Sequence, residues 1–101
     1  MIVFTDHVVT PTHVMVRLLD DESVFLNLET ERYFGLDPTG TRMWQLLTGA
    51  TDIEGAYQAL LNEFEVEPET LRSDLVELLD KLVENNLVQV VGSDVGTASA
   101  V

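Results

Sequence analysis

The side chains that most often carry out chemistry are few in this sequence, and their spacing does not favour catalysis. His7 and His13 lie six residues apart on either side of Pro11, whereas two metal ligands on one helix or on paired strands are spaced differently. None of the four serines lies in a G-x-S-x-G motif, and no glycine-rich phosphate loop is present. We therefore predict surface or structural roles for both histidines.

Carboxylates are abundant, but their positions favour solvated turns over an acid-base pair. Asp20, Asp21 and Glu22 are consecutive, which indicates a polar turn. A second group surrounds a predicted helix junction: Glu63, Glu65, Glu67 and Glu69. Neither group has the spacing of an EF-hand loop, and the lack of cysteine excludes disulfides, thiolate ligands and cysteine nucleophiles. The sequence predicts neither a metal nor a cofactor.

Net charge restricts the class of partner. The 101 residues include 18 acidic side chains against 5 lysines plus arginines, for a formal net charge of -13. Phosphate backbones and anionic lipid surfaces attract basic side chains, so nucleic acid and membrane partners are disfavoured. No apolar run is long enough to span a bilayer, and the first residues lack the features of a signal peptide. We expect one cytoplasmic domain.

The residues best suited to binding lie in a predicted β-hairpin over 24–36. Apolar and polar residues alternate along 24–28, and a second β-rich run covers 31–36. A further strand over 13–19 pairs with the first of these through a polar turn. Since helices are predicted to follow the hairpin, we expect strand 31–36 to be an edge of the sheet.

Three helices follow the hairpin. Asp37 is a typical N-cap and Pro38 a typical first helical residue. The first helix then extends to about Thr48, and Gly49 suits the left-handed residue that ends a helix. Trp44 is the expected central packing anchor of the domain.

The second and third helices are defined by apolar stripes. Thr51 and Glu54 form a predicted capping box at the start of the second helix. Its stripe consists of Ile53, Ala56, Tyr57, Leu60, Leu61 and Phe64. The third helix begins at Pro68 and ends at Glu84 or Asn85. Its apolar residues span an arc of about 160° at roughly 100° per residue, wider than one packing face usually needs: Leu71, Leu75, Val76, Leu78, Leu79, Leu82 and Val83.

This order of elements predicts an α+β fold. The expected architecture is a winged helix-turn-helix domain, with a three-stranded antiparallel sheet followed by three helices and a short terminal strand at 87–91. Residues 1–4 are apolar and suit either a strand or an arm lying on the domain. The stretch 92–101 is small and polar without periodicity, so we predict a domain over 1–91 and a disordered tail over 92–101.

The wide stripe of the third helix leaves apolar surface beside the edge strand that carries Tyr33 and Phe34. A strand edge next to an apolar helix flank suits β-augmentation, in which an extended peptide pairs with the edge and places alternate side chains in flanking pockets. Alternatively, residues 1–9 or a dimer partner fill this flank. The pattern does not choose between these interpretations.

Two segments of the chain read FLNLETERYFGLDPTGTRMWQLL and EFEVEPETLRSDLVELLDKLVENNLV. They resemble the PqqD-like family, named for the pyrroloquinoline quinone pathway, and the similarity covers about 14–91. The pattern Y-F-G-L-D-x-x-G-x-x-x-W at 33–44 looks most like the stand-alone leader-binding proteins of lasso-peptide pathways. Asn86 stands where many relatives have glycine, and asparagine also tolerates the left-handed conformation.

The resemblance implies a recognition element for ribosomally synthesised, post-translationally modified peptides (RiPPs). The leader segment of a precursor peptide would add as a strand beside strand 31–36 and against helix 68–85. The domain would present it to a modifying enzyme or leader peptidase of the same pathway, without catalysis of its own. The family's peptide-binding positions fall on Glu31, Arg32, Tyr33 and Phe34 of the strand and on Arg72, Leu75, Val76 and Leu79 of the helix.

Two other classes are compatible with the pattern. A winged-helix transcription regulator has the same order of elements, but the third helix carries two basic and five acidic side chains, which repel a phosphate backbone. A structural dimerisation module that swaps its first strand would form a stable homodimer and bind no peptide. A homodimer is therefore left open.

Overall fold

The computed structural model describes residues 3–92, which contain five strands and three helices. In chain order these are β1 (His7–Val9), β2 (Val14–Leu19), β3 (Glu22–Asn27), β4 (Arg32–Leu36), α1 (Pro38–Gly49), α2 (Ile53–Glu63), α3 (Pro68–Glu84) and β5 (Gln89–Val91). β2, β3 and β4 form an antiparallel sheet in that order, and β1 pairs with β5 in a second sheet. The predicted α+β class is confirmed, and the winged helix-turn-helix description is compatible with it.

β1 is not among the predicted strands, because three residues are too few to show a periodicity. It pairs antiparallel with β5, with His7 opposite Val91, and so joins the two ends of the described chain. Of the residues before it, 3–6 form a turn and a bend instead of a strand, and residues 1 and 2 lie outside the described residues. Phe4 is buried there and packs edge-to-face on Tyr57, so this stretch is an arm on the domain. The predicted tail at 92–101 lies outside the described residues from position 93 onward.

The hairpin of β3 and β4 forms as predicted, with small shifts at its ends. β3 begins two residues before the predicted run. β4 begins at Arg32 and not at Glu31, because Glu31 adopts a left-handed conformation (φ 62°) in the connecting turn. Ser23, Phe25 and Asn27 alternate with more exposed neighbours and face the core.

Capping side chains fix where α1 and α2 begin. The Asp37 carboxylate accepts a hydrogen bond of 2.8 Å from the Gly40 N–H, which confirms the predicted N-cap of α1. The cap of α2 is Asp52, which accepts a 2.8 Å bond from the Gly55 N–H. The predicted capping box at Thr51 is therefore wrong by one position, because the adjacent aspartate is also a strong N-cap.

A left-handed residue was predicted at the C-terminal end of both α1 and α3, and the structure has one only at the end of α3. α1 includes Gly49, and Ala50 after it has a φ of -90°, so the prediction of a left-handed Gly49 is wrong. α3 ends in a Schellman motif, in which Asn86 has a φ of 57° and the Leu87 N–H donates to the Leu82 carbonyl at 2.8 Å. The left-handed conformation expected at Asn86 is confirmed.

The core lies between the inner face of the three-stranded sheet and the helices. Phe25 and Leu47 have no exposed surface. Trp44 packs edge-to-face on Phe25, with 5.2 Å between ring centroids, but it is only partly buried. Phe25, and not Trp44, is therefore the central anchor. α3 contributes a buried row of four leucines: Leu71, Leu75, Leu79 and Leu82.

Candidate functional site

β4 forms one edge of the three-stranded sheet. It pairs with β3 on one side, with Phe34 opposite Phe25, and no strand within residues 3–92 pairs with its other side. The prediction that this strand is an edge is confirmed. Because an edge strand presents unpaired N–H and C=O groups, it is a template for another extended chain.

Hydrogen bonding in the sheet shows which groups of β3 face β4. The Leu28 N–H donates to the His13 carbonyl at 2.8 Å, and the register continues with Val14 opposite Asn27. Bonded and non-bonded pairs alternate along an antiparallel ladder, so the backbone of Asn27 faces β4 instead of β2. In agreement, the Asn27 carbonyl accepts a bond from the Glu31 N–H at the start of the return strand.

The same alternation identifies the free groups of β4. Asn27 is opposite Arg32, so the even-numbered residues of β4 direct their N–H and C=O groups toward β3. Tyr33 and Gly35 direct theirs to the open side. These two residues therefore supply the backbone donors and acceptors available to a further strand.

A cleft of about 440 Å³ lies between β4, the N-terminus of α1 and one side of α3. Its apolar surface comes from all three elements: Phe34, Leu36, Met43 and Leu78. Its charged groups are Asp37 at the cap of α1 and Asp74, Glu77 and Lys81 on α3. The open edge of β4 thus borders a partly apolar cleft with a charged wall.

Hydrogen bonds position β4 at both ends of this cleft. At the α1 end, the buried hydroxyls of Ser23 and Thr41 share a bond of 2.7 Å, and Thr41 also donates to the Leu36 carbonyl at 3.3 Å. At the hairpin end, the Asn27 amide donates to the Asn85 carbonyl at 3.3 Å. The sheet is in this way fixed relative to α1 and to the C-terminus of α3.

A smaller cavity of about 200 Å³ adjoins the cleft at the hairpin end. It lies between the turn after β3 and the C-terminal end of α3, and Phe34 lines both cavities. Its charged groups are Arg32 and Glu84. The two cavities together follow the whole length of β4.

The strand residues predicted to bind peptide lie along this site. Tyr33 is 70% exposed, Arg32 is exposed, and Phe34 is partly buried between the two cavities. Glu31 lies in the turn before β4 and is exposed. All four are therefore accessible at or beside the open edge.

The helix residues predicted to bind peptide lie elsewhere. Leu75 and Leu79 have no exposed surface, because they belong to the core row of α3. The Arg72 guanidinium lies over the ring of Phe4, 3.9 Å from its centroid, and Val76 lines a shallow depression with Arg72. None of these four helix residues lines the cleft beside β4.

The residues of α3 that line the cleft were not identified from the sequence. The buried leucine row of this helix has a margin on each side, and the predicted residues lie on the margin away from β4 or in the row itself. Leu78, Asp74 and Lys81 lie on one side of the buried leucine row, and Arg72 and Val76 lie on the other. Leu78 belongs to the predicted apolar arc, but helical periodicity does not show which margin faces β4. The Arg72 margin is covered in part by the arm that carries Phe4. None of residues 3–9 lines the cleft beside β4, so the alternative that the first residues fill that flank does not match the structure.

Outside the cleft, the polar contacts join elements to one another. His13 Nε2–H donates to the Asn86 carbonyl at 3.1 Å. An exposed ion pair joins Arg42 of α1 to Glu63 of α2, and their hydrogen bond raises the pKa of Arg42 and lowers the pKa of Glu63.

Within residues 3–92 no group of three or more acidic or histidine side chains could hold a metal ion. None of the helices in that range is long and apolar enough to cross a membrane.

Comparison with known families decides the classification. A family model described as coenzyme PQQ synthesis protein D (PqqD) matches residues 22–88, which include the hairpin, all three helices and the cleft. The chain belongs to the PqqD family. None of the curated protein sequences that were compared with it matches significantly.

Solved structures similar to this PqqD-family chain include two leader-peptide complexes. One is TbiB1 in complex with the TbiA(beta) leader peptide, which is 34% identical, with 79% of this chain and 93% of that chain covered and a TM-score of 0.72. The other is a lasso peptide synthetase B1 complexed with the leader peptide, at 24% identity, with 82% and 98% coverage and a TM-score of 0.72. At this level of identity, the similarity to the second structure shows a shared fold only.

Proposed function

We propose that this PqqD-family protein binds the leader segment of a ribosomally synthesised precursor peptide by β-augmentation on β4. The bound leader is held beside α3 and presented to a modifying enzyme or leader peptidase of the same pathway. The protein acts in the cytoplasm and catalyses no reaction itself, since recognition and presentation need only the strand edge and the cleft. Its binding domain covers residues 1–91.

The observation that carries this proposal is the open edge of β4 beside a partly apolar cleft. An added strand gains main-chain hydrogen bonds at the edge, and its alternate side chains enter the flanking pockets. Tyr33 and Gly35 supply the backbone groups, while Phe34, Met43 and Leu78 supply apolar contacts. Neither the edge nor the cleft is filled by another part of residues 3–92.

The proposed peptide-binding residues on the strand are Glu31, Arg32, Tyr33 and Phe34, together with the backbone of Gly35. On α3 we propose Asp74, Leu78 and Lys81, because they line the cleft. Leu75 and Leu79 support the site from the core. Arg72 and Val76 belong to the opposite margin of the helix.

One solved relative supports the ligand class, and a sequence motif supports the pathway. TbiB1 is 34% identical over most of both chains, and its structure is a complex with a leader peptide. The similarity of the 33–44 segment to lasso-peptide proteins points to the same kind of pathway. A DNA-binding role is not favoured, since α3 carries five acidic and two basic side chains.

Titration of a labelled leader peptide from the precursor of the same pathway tests the proposal by fluorescence anisotropy. We expect saturable binding with a 1:1 endpoint. The absence of saturable binding stronger than roughly millimolar, about -4 kcal/mol, contradicts the proposed function.

A further inference from the structure

The wall of the cleft that α3 provides is mainly acidic at one end. Asp74 and Glu77 are exposed, line the cleft, and form no ion pair within the described residues. Asp37 also lines this end, but its carboxylate is bonded to the Gly40 N–H and offsets the partial positive charge of the α1 N-terminus. Two carboxylates of α3 at this end of the cleft are therefore without an ion-pair partner among the described residues.

The opposite end of the same groove carries different charges. Lys81 lies one helical turn further along α3 than Glu77, and Arg32 and Glu84 line the adjoining cavity near the hairpin. The negative potential is thus concentrated near Asp74. It is not spread evenly along the groove.

A strand that enters the cleft removes water from this acidic wall. An unpaired carboxylate loses hydration at a cost unless the incoming chain supplies a donor or an opposite charge. A peptide with carboxylates at these positions is repelled, both locally and by the formal net charge of -13 on the whole chain. A Lys or Arg side chain instead compensates the wall and speeds association.

We propose that the recognised peptide is cationic where it passes Asp74 and Glu77, with a Lys or Arg adjacent to the apolar residues that fill the cleft. This inference rests on the proposed function and specifies the ligand of the same site. Backbone pairing with β4 accepts many sequences, whereas the acidic wall selects among them by charge.

Matched variants on α3 test this selection. Asp74→Asn removes a carboxylate that lines the cleft, and Asp80→Asn removes one that lines only the shallow depression on the other side of the helix. Both substitutions are isosteric changes at exposed positions. Each variant is titrated with the labelled leader peptide and with a version in which every Lys and Arg is replaced by Gln.

For the unmodified protein and for Asp80→Asn, we expect the Gln version to bind at least threefold more weakly than the leader at low salt, in the range of exposed or partly desolvated ion pairs. For Asp74→Asn, the difference between the two peptides should be smaller than for the matched control Asp80→Asn. When Asp74→Asn is combined with Glu77→Gln, the difference should fall below twofold. At about 1 M salt, where the screening length is about 3 Å, the difference should also shrink for the unmodified protein.

Equal affinity of the unmodified protein for the two peptides overturns the inference while the proposed function stands. The inference is likewise overturned, and the proposed function stands, if the leader binds well and contains no Lys or Arg. A preference that persists unchanged in the double variant or at high salt also overturns it, because the wall is then not its source. If neither peptide binds, the proposed function fails and the inference fails with it.

Discussion

Two leucines on α3 show how position on one helix separates core from site. Leu75 and Leu78 are three residues apart, yet Leu75 has no exposed surface and Leu78 is half-buried at the edge of the cleft. Periodicity predicts that both face inward, since both fall within the apolar arc. Which margin of the arc lies beside β4 depends on how the sheet packs on α3, and no local pattern in the helix encodes that.

The leucine pair gives a prediction with its own control. Leu78→Asp places a charge in the cleft next to Asp74, so we expect peptide binding to weaken at least tenfold. The circular dichroism spectrum should stay native, and the unfolding midpoint should fall by much less than in Leu75→Asp, because Leu78 is only partly buried against the core. Leu75→Asp buries an unpaired carboxylate and should cost about 3 kcal/mol or more of unfolding free energy. The assignment of the α3 face is wrong if Leu75→Asp remains folded and only Leu78→Asp unfolds.

The strand edge is the element on which the proposed function depends. The hairpin, its turn and the proline-led start of α1 were all predictable, because alternation and end signals are local. The pairing of β1 with β5 was not, because it joins residues 80 or more positions apart through strands of three residues. The arm with Phe4, which covers the Arg72 side of α3, has the same long-range origin.

Substitution at Gly35 tests the strand edge. Its N–H faces the open side, so Gly35→Pro removes a donor available to a peptide and leaves the bonds to β3 in place, as prolines on edge strands do. We expect about tenfold or greater loss of leader affinity with a native spectrum. Gly35→Ala is the control, because its Cβ would meet only the Ser23 carbonyl oxygen, at 3.9 Å, and its N–H is retained. Equal loss in both variants would point to a side-chain effect and not to backbone pairing.

At the scale of the whole molecule, the charge and the order of elements were readable from the sequence, and the location of the cleft was not. The cleft needs β4, α1 and α3 together, and the hydrogen bond from Asn27 to Asn85 ties the hairpin to the C-terminus of α3 beside the adjoining cavity. A buried asparagine at 2% exposure in a strand was not recognisable as the residue that ties the hairpin to α3. Its partner carbonyl lies 58 positions away.

Truncation tests the proposed extent of the domain. A chain that ends at Val91 keeps β5 and its pairing with β1. We expect it to unfold at the same midpoint as the full chain, within error, and to bind the leader with the same affinity. A lower midpoint, or weaker binding after removal of 92–101, would show that these residues belong to the domain or to the site.

Amide hydrogen exchange at single-residue resolution tests the central claim most directly. The amides of Tyr33 and Gly35 face the open side of β4, while that of Phe34 is already bonded to β3. On saturation with the leader peptide, we predict marked slowing of exchange at Tyr33 and Gly35, with a much smaller change at Phe34. Saturating binding that leaves the exchange of Tyr33 and Gly35 unchanged would contradict strand addition at β4.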